Sequence, residues 1–445
     1  MVFALVLVSI LCVLATAHWY LWRRLVRDVS APGGVWRRTG TALALLMPLV
    51  MVAAQVTGRS DAPLWLKRAL AWPGMMWFAL LVYLLLTLVV LEFVRPLLRR
   101  WAARRASARA DATAAAPAAT AATPARASAA ATGGGTGTAE GGTDGTADGT
   151  SDDQQAVTTT VPAAPQDGPS DPSRRLFVSR VAAVSAGAVA AATVGHGTYQ
   201  VLGAGPVVKH VPVVLDRLPA AADGYRITLI SDIHLSPVLG RRTCQRIVDR
   251  ANATRPDLIA IAGDLVDGPV ADLRHDAEPL AGLTAREGVF FAIGNHEYYS
   301  GAREWARHID RELGIPVLEN RHVPLEHFDL VGVNDPAGEE FDDGPDLARA
   351  VAGRDEHRAA VLVAHQPALI HDAVRHGIDL QLSGHTHGGQ MWPGNLLAAL
   401  ANPTLVGLER YGDTQLYVTR GAGAWGPPVR VGAEADITVL ELRSR

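Results

Sequence analysis

Cysteine is nearly absent from this chain. Cys12 and Cys244 are the only two in 445 residues, which excludes a disulfide framework and any thiolate metal motif. Cys12 falls in an apolar run and Cys244 in an expected helix, so both read as packing residues rather than reactive thiols. Charge is sparse too, with Asp, Glu, Lys and Arg at 19% and a formal net charge of −3. The C-terminal half carries no clustered basic stripe, so no nucleic-acid partner is expected. Internal repeats are also missing. Apolar residues make up 49% and the mean hydropathy is +0.13, high for a soluble protein, so part of the chain belongs in lipid.

Three stretches lack charge altogether: Met1 to Trp22, Thr39 to Gly58 and Ala69 to Leu91. Each is long enough for one bilayer crossing, at about twenty residues per crossing. The first lacks the basic start and small-residue exit of a signal peptide, so it is expected to remain as a membrane helix. Arg23, Arg24, Arg27, Arg37 and Arg38 lie between the first two runs, and Arg95, Arg99, Arg100, Arg104 and Arg105 follow the third. Only Arg59, Lys67 and Arg68 lie between the second and third. The positive-inside bias then puts the amino terminus outside and the end of the third run in the cytoplasm. A membrane region over 1–105 follows from this.

Residues 106–172 consist mostly of Ala, Thr, Gly, Ser, Pro and Asp, cannot bury a core, and are expected to form a disordered linker. Next come Ser173-Arg174-Arg175-Leu176-Phe177-Val178-Ser179-Arg180 and an uncharged run from Val181 to Val208. Two readings of 173–204 stay open. It resembles a twin-arginine signal in an internal position, which would make the folded-protein export machinery a partner, or it is a fourth membrane helix. Both carry the chain from cytoplasm to exterior. A multi-pass protein of a bacterial cell membrane is expected, with residues 205–445 as an extracytoplasmic catalytic domain.

That last part alternates apolar strand-like runs with helical patterns over Arg241 to Asn252, Ala302 to Leu313 and Ala368 to Arg375. Strand-rich sequence takes over after about Phe328. The expected class is α/β, two sheets packed together with helices outside. Five runs end in similar loops. Arg226 to Ile230 leads to Asp232 and His234, Leu258 to Ala262 to Asp264 and Asp267, and Val289 to Ile293 to Asn295, His296 and Glu297. Ala360 to Ala364 leads to His365, and Leu380 to Ser383 to Gly384-His385-Thr386-His387-Gly388-Gly389-Gln390. The carboxyl ends of strands are where ligands collect in open α/β sheets. An extended backbone would turn His385 and His387 to one side, toward one shared place. Carboxylate and imidazole donors without thiolate point to divalent Mn, Fe, Zn or Co.

In order and character these five loops resemble the motif blocks of the calcineurin-like metallophosphoesterases, over residues 225–442. Gly388-Gly389-Gln390 and the run from Gly421 to Arg430 resemble the membrane-associated bacterial branch typified by YkuE and YaeI phosphodiesterases. The resemblance implies a four-layer α/β/β/α metallophosphoesterase sandwich holding two divalent metal ions, Mn first among them. It implies Asp232, His234 and His387 on one metal, Asn295, His365 and His385 on the other, and Asp264 bridging. Attack would come from a hydroxide shared by the metals, with the uncoordinated His296 acting on the leaving group. Asp267 and Glu297 are expected to orient ligands or cap turns.

The expected activity is hydrolysis of a phosphodiester or pyrophosphate at the membrane. Two alternatives remain: a phosphomonoesterase, and a catalytically silent membrane sensor or binding module. The apolar stretch from Met391 to Leu408 reads either as a lip touching lipid, favouring a lipid or lipid-linked substrate, or as ordinary packing. Trp392 and Arg430 are candidate substrate contacts, although Arg430 could equally pair with a carboxylate.

Overall fold

The computed structural model describes residues 2–114 and 172–445. The expected linker over 106–172 therefore lies largely outside the described residues. Its first part does not, because helix continues through Ala114.

Four long helices come first: α1 (Val2–Leu21), α2 (Val35–Gly58), α3 (Leu64–Ala114) and α4 (Pro172–Tyr199). Three segments, Val35–Gly58, Leu64–Val94 and Leu176–Ala204, are long and apolar enough to cross a membrane. By contacts the chain divides into one unit of residues 1–91 and 176–445 and a second of residues 92–175. The described part of the second is the continuation of α3 and the first turn of α4. Within the first unit, Ala186, Ala190 and Val194 recur every fourth residue on α4 and pack with Ala79, Leu84 and Leu88 of α3. Small side chains let two backbones approach, the usual basis of helix pairing in lipid. Elsewhere Leu43, Leu45 and Leu49 on α2 remain exposed, as lipid-facing side chains do.

Among the described residues the rest of the chain forms eleven strands. These are β1 (Val207–Leu215), β2 (Tyr225–Ile230), β3 (Leu258–Ala262), β4 (Val289–Ala292), β5 (Arg321–Pro324) and β6 (Asp329–Gly332). They continue with β7 (Ala360–Val363), β8 (Leu380–Ser383), β9 (Gly407–Tyr411), β10 (Thr414–Val418) and β11 (Asp436–Ser444). The shorter helices are α5 (Arg241–Ala253), α6 (Val270–Ala277), α7 (Asn295–Ser300), α8 (Ala302–Arg311), α9 (Leu347–Val351), α10 (Ile370–Arg375) and α11 (Gly394–Ala401).

One sheet runs β1-β11-β2-β3-β4 and the other β5-β6-β7-β8-β10-β9. Alternation along a strand sends successive side chains to opposite faces, and here both faces are buried. On β3, Leu258, Ala260 and Ala262 meet the other sheet, while Ile259 and Ile261 face α5, α6 and α8. On β7, Val361 and Val363 face inward and Ala360 and Leu362 face α9 and α10. The result is the expected four-layer α/β/β/α sandwich. Strands β2, β3 and β4 are mutually parallel, as are β7 and β8, so the ends of all five expected runs gather at one edge of the two sheets.

Strand β1 is a departure from the sequence reading. It opens inside the uncharged run Val181 to Val208 and pairs in parallel with β11 across its full length. Trp305 on α8 is fully buried in the outer core and donates from Nε1 to Gly268 O at 2.9 Å. Trp305→Ala is expected to cost roughly 3–5 kcal/mol, read as a lower temperature of heat inactivation for the full chain in detergent.

Candidate metal centre

Each expected site residue follows the strand that was expected to deliver it. Asp232 and His234 follow β2, Asp264 and Asp267 follow β3, and Asn295 and His296 open α7 after β4. His365 follows β7, and His385 and His387 follow β8.

The last loop is not extended. His385 and His387 take left-handed conformations, at φ 69° and 51°, with Thr386 right-handed between them. They address two places rather than one. Asp232, His234 and His387 form one donor group, and Asp264, His365 and His385 another, the donor atoms within each lying less than 4.8 Å apart. Asp232, His234 and Asp264 are left-handed as well, at φ 53°, 49° and 54°. Such a conformation costs roughly 1–3 kcal/mol at a non-glycine residue, and five cases at one centre mark it as a place where chemistry outweighs local comfort.

Asp264 Oδ2 connects the groups, lying 3.1 Å from His365 Nε2 and 3.7 Å from His234 Nε2. In the first group His234 Nε2 is 3.0 Å from His387 Nε2, which is 3.3 Å from Asp232 Oδ1. In the second, His385 Nδ1 is 3.1 Å from Asn295 Oδ1 and 3.3 Å from His365 Nε2. Imidazole nitrogens aimed at one another cannot all be satisfied by the few protons available, whereas a cation between them satisfies every lone pair. The donor set of carboxylate, imidazole and amide oxygen fits two divalent ions.

Partners behind the donors fix which nitrogen each ring presents. His234 Nδ1 donates to Asp267 Oδ1 at 2.8 Å, and His365 Nδ1 donates to Ala262 O at 2.7 Å, so both point Nε2 inward. Asp267 Oδ1 also lies 2.7 Å from His296 Nδ1, leaving His296 Nε2 turned to the centre, 4.0 Å from Asp264 Oδ2. Glu297 is fully enclosed. Its Oε2 accepts from Gly294 N and Asp264 N, and its Oε1 from Leu265 N, tying two loops together.

Burial opposes every charge here, and the neighbours decide the outcome. It works against ionisation of Asp264, but the His365 imidazole outweighs it and holds the carboxyl at about 2. Against the same burial, Asp264 lifts His365 to about 10. Burial and the charge of His365 push His385 down to about 4, and burial takes His387 well below the usual histidine range. Burial, with Asp264 adding, raises Glu297 to about 7. Two buried rings thus avoid a proton and keep lone pairs available, as ligands must.

Arg430 is placed differently from its reading as a substrate contact. It is fully buried behind His387, donating to Gly423 O at 2.7 Å and Arg420 O at 2.7 Å, with Nη2 lying 3.1 Å from His387 Nδ1. Its guanidinium braces a candidate ligand and the Gly-rich loop. Trp392 is exposed beyond the loop, with its carbonyl accepting from Tyr83 Oη of α3 at 3.0 Å. Sequence reasoning missed two rings at the mouth, Tyr299 and Trp425, whose centroids lie 5.5 Å and 5.7 Å from that of His296. An aromatic in the Gly/Pro-rich run Gly421 to Pro428 was the available signal for Trp425.

Residues 225–389 match the calcineurin-like phosphoesterase family. A transmembrane protein with metallophosphoesterase domain from Danio rerio is 38% identical over 54% of this chain and 57% of its own length. An uncharacterised metallophosphoesterase of Helicobacter pylori strain J99 is 38% identical over 56% of this chain and 66% of its own. The uncharacterised metallophosphoesterase YkuE of Bacillus subtilis is 28% identical over 51% of this chain and 82% of its own. The chain thus spans less than two thirds of the first two relatives.

A Cβ on Gly384 would overlap Ser231 Oγ and Asp232 Oδ2. Gly384→Ala is therefore expected to weaken binding of added Mn²⁺ at least tenfold, measured by equilibrium dialysis of the full chain. Gly187→Ala, with open space around it and no positive φ, is expected to bind as the parent does.

Proposed function

Because this chain belongs to the calcineurin-like metallophosphoesterases, we propose that it is a membrane-tethered hydrolase cutting a phosphodiester or pyrophosphate bond with two divalent metals. The observation that carries the reading is Asp264 Oδ2 standing between two complete donor groups with His296 alongside. Asp232, His234 and His387 would hold one ion and Asn295, His365 and His385 the other, with Asp264 shared. The ions would lower the pKa of a water and neutralise charge developing on the phosphoryl oxygens.

The chain's own groups do the rest. As the water oxygen bonds to phosphorus and the bond to the leaving oxygen breaks, His296 Nε2 supplies the proton that oxygen takes up. Asp267, bonded to Nδ1, holds the ring in the tautomer and pose this needs. Tyr299 and Trp425 flank His296 and offer flat apolar surface to the leaving group. A complete donor set speaks against a silent sensor. Mn²⁺ is the first metal to supply.

Orientation has support at both ends of the helices. Arg180 on α4 donates to Val29 O at 3.1 Å, which sets that end of α4 beside the Arg-rich connection between α1 and α2. At the other end Lys67 and Arg68, just after the connection between α2 and α3, pair with Asp272 and Asp276 around α6 at 2.6 Å and 3.2 Å. The metal centre then lies on the side away from the arginines, which the positive-inside rule makes extracytoplasmic. Leu176–Ala204 reads best as a retained fourth crossing, because Gly197 O accepts from Arg430 N at 3.2 Å. Twin-arginine recognition of residues 173–180 is compatible with that crossing.

With Mn²⁺ and bis-(p-nitrophenyl) phosphate, Asp264→Ala or His385→Ala should abolish turnover in membranes. His296→Asn should lower kcat by roughly 10²–10⁴ while metal content stays at the parent value. Full activity of either ligand variant would sink the proposal. For orientation, Ser60→Cys should react with a membrane-impermeant maleimide on intact cells and Gly33→Cys only after lysis; the reverse pattern would place the metal centre inside.

A further inference from the structure

Helix α11 is anomalous. Its sequence, Gly-Asn-Leu-Leu-Ala-Ala-Leu-Ala, has no charge, and none of its residues is buried. Leu396, Leu397 and Leu400 are 61%, 73% and 86% exposed. Apolar residues on an ordinary surface occur singly, whereas three leucines within two turns of one helix form a patch that water penalises. The helix begins four residues after Gln390, the end of the metal-centre loop.

Its neighbours are membrane helices. Met391 and Val431 pack against the cluster formed by α3 and α4, and Val429 is fully buried within it. Tyr83 Oη of α3 donates to Trp392 O, just ahead of α11. Tyr83 lies inside the uncharged run Ala69 to Leu91, about 21 Å along the helix from the Ala69 end and about 12 Å from the Leu91 end at 1.5 Å per residue. A bilayer that covers this run therefore reaches the level of Trp392. The loop that carries the exposed Trp425 is similar, since a Cβ added at its neighbour Gly426 would touch Met75 Sδ on α3 at 3.9 Å. Both loops that flank the metal centre are seated on the helix that crosses the membrane.

We propose that α11 is immersed in the acyl region of the bilayer, and that the substrate enters over it from the surrounding lipid. The substrate is then an amphiphile, a phosphodiester or pyrophosphate carrying acyl or prenyl chains. The chains stay among lipids against Leu396, Leu397 and Leu400, and the phosphate rises past Trp392 and Trp425 to the donors. This rests on the hydrolase reading above.

Two measurements on the full chain in nanodiscs of phosphatidylcholine and phosphatidylglycerol, 3:1, test it. A nitroxide on Leu397→Cys in a Cys12→Ser background should relax with oxygen and be shielded from the aqueous nickel reagent NiEDDA, unlike one on Arg410→Cys. Equal NiEDDA access at both positions overturns the immersion. Rates are then compared on soluble bis-(p-nitrophenyl) phosphate and on dioleoyl phosphatidyl-p-nitrophenol placed in the disc. The parent should favour the lipid ester, and Leu397→Asn/Leu400→Asn should lower the ratio of lipid to soluble rates at least tenfold. An unchanged ratio overturns the entry route while leaving the hydrolase reading intact. Inertness of the parent toward both esters overturns the hydrolase reading and the substrate class with it, and the nitroxide result still decides the immersion.

Discussion

Everything at this centre depends on one oxygen atom being shared. Among the described residues, Asp264 Oδ2 is the only carboxylate oxygen within 4 Å of both His234 and His365, rings carried by different sheets. Anything that moved β3 relative to β2 or β7 by an ångström would break that sharing. The inward faces of the sheets are closed accordingly, with Leu229, Ala260 and Val363 fully buried between them. Dense packing transmits position as well as stability. Small residues along β3, Ala260 and Ala262, let the neighbouring backbone come close enough for His365 Nδ1 to bond Ala262 O.

A second tie backs the first. Glu297 lies behind the donors and collects three backbone N–H groups from the loops after β3 and β4. A carboxylate accepting several N–H bonds acts as a rigid clip, and these N–H groups lie next to left-handed Asp264 and to Gly294. The strain of the loops is thus held by groups one layer away from any ligand. Asp267 repeats the device on the imidazole side, joining His234 to His296 through a single oxygen. The His234 and His296 rings are therefore mechanically coupled, since a shift in one moves the carboxylate that holds the other.

How much of this could be read in advance follows from the range over which each feature is encoded. Runs such as Leu258 to Ala262 and Leu380 to Ser383 match their strands residue for residue, because alternation and composition are local. The donors are legible for the same reason, as the polar residues that end those runs. The left-handed turns at His385 and His387 are not, since extended and left-handed paths use the same Gly-His-Thr-His-Gly letters and only the distant partners choose. Strand β1 was hidden because its first residues, Val207 and Val208, continue the apolar run of α4, and its pairing with β11 spans over two hundred residues. Arg430 was misjudged on chemistry. An arginine near an anion site invites a phosphate contact, but this one meets six backbone carbonyls or ring atoms before it could meet solvent.

The role of Arg430 also changes what the membrane helices are for. Anchoring alone would leave the α/β part indifferent to them, yet Val429, Arg430 and Val431 sit directly against Gly197 of α4, where a Cβ would collide with all three. Arg430 N donates to Gly197 O, and the same residue's guanidinium reaches His387. Arg246 and Arg250 of α5 grasp the carbonyls of Val201, Leu202 and Ala204, where α4 ends. From the membrane to a donor of the metal centre the path is two residues long. A domain cut free near Gly205 would keep all its strands but lose the surface that presses Val429 to Val431 into place. Helix α4 is accordingly part of the scaffold that poses His387.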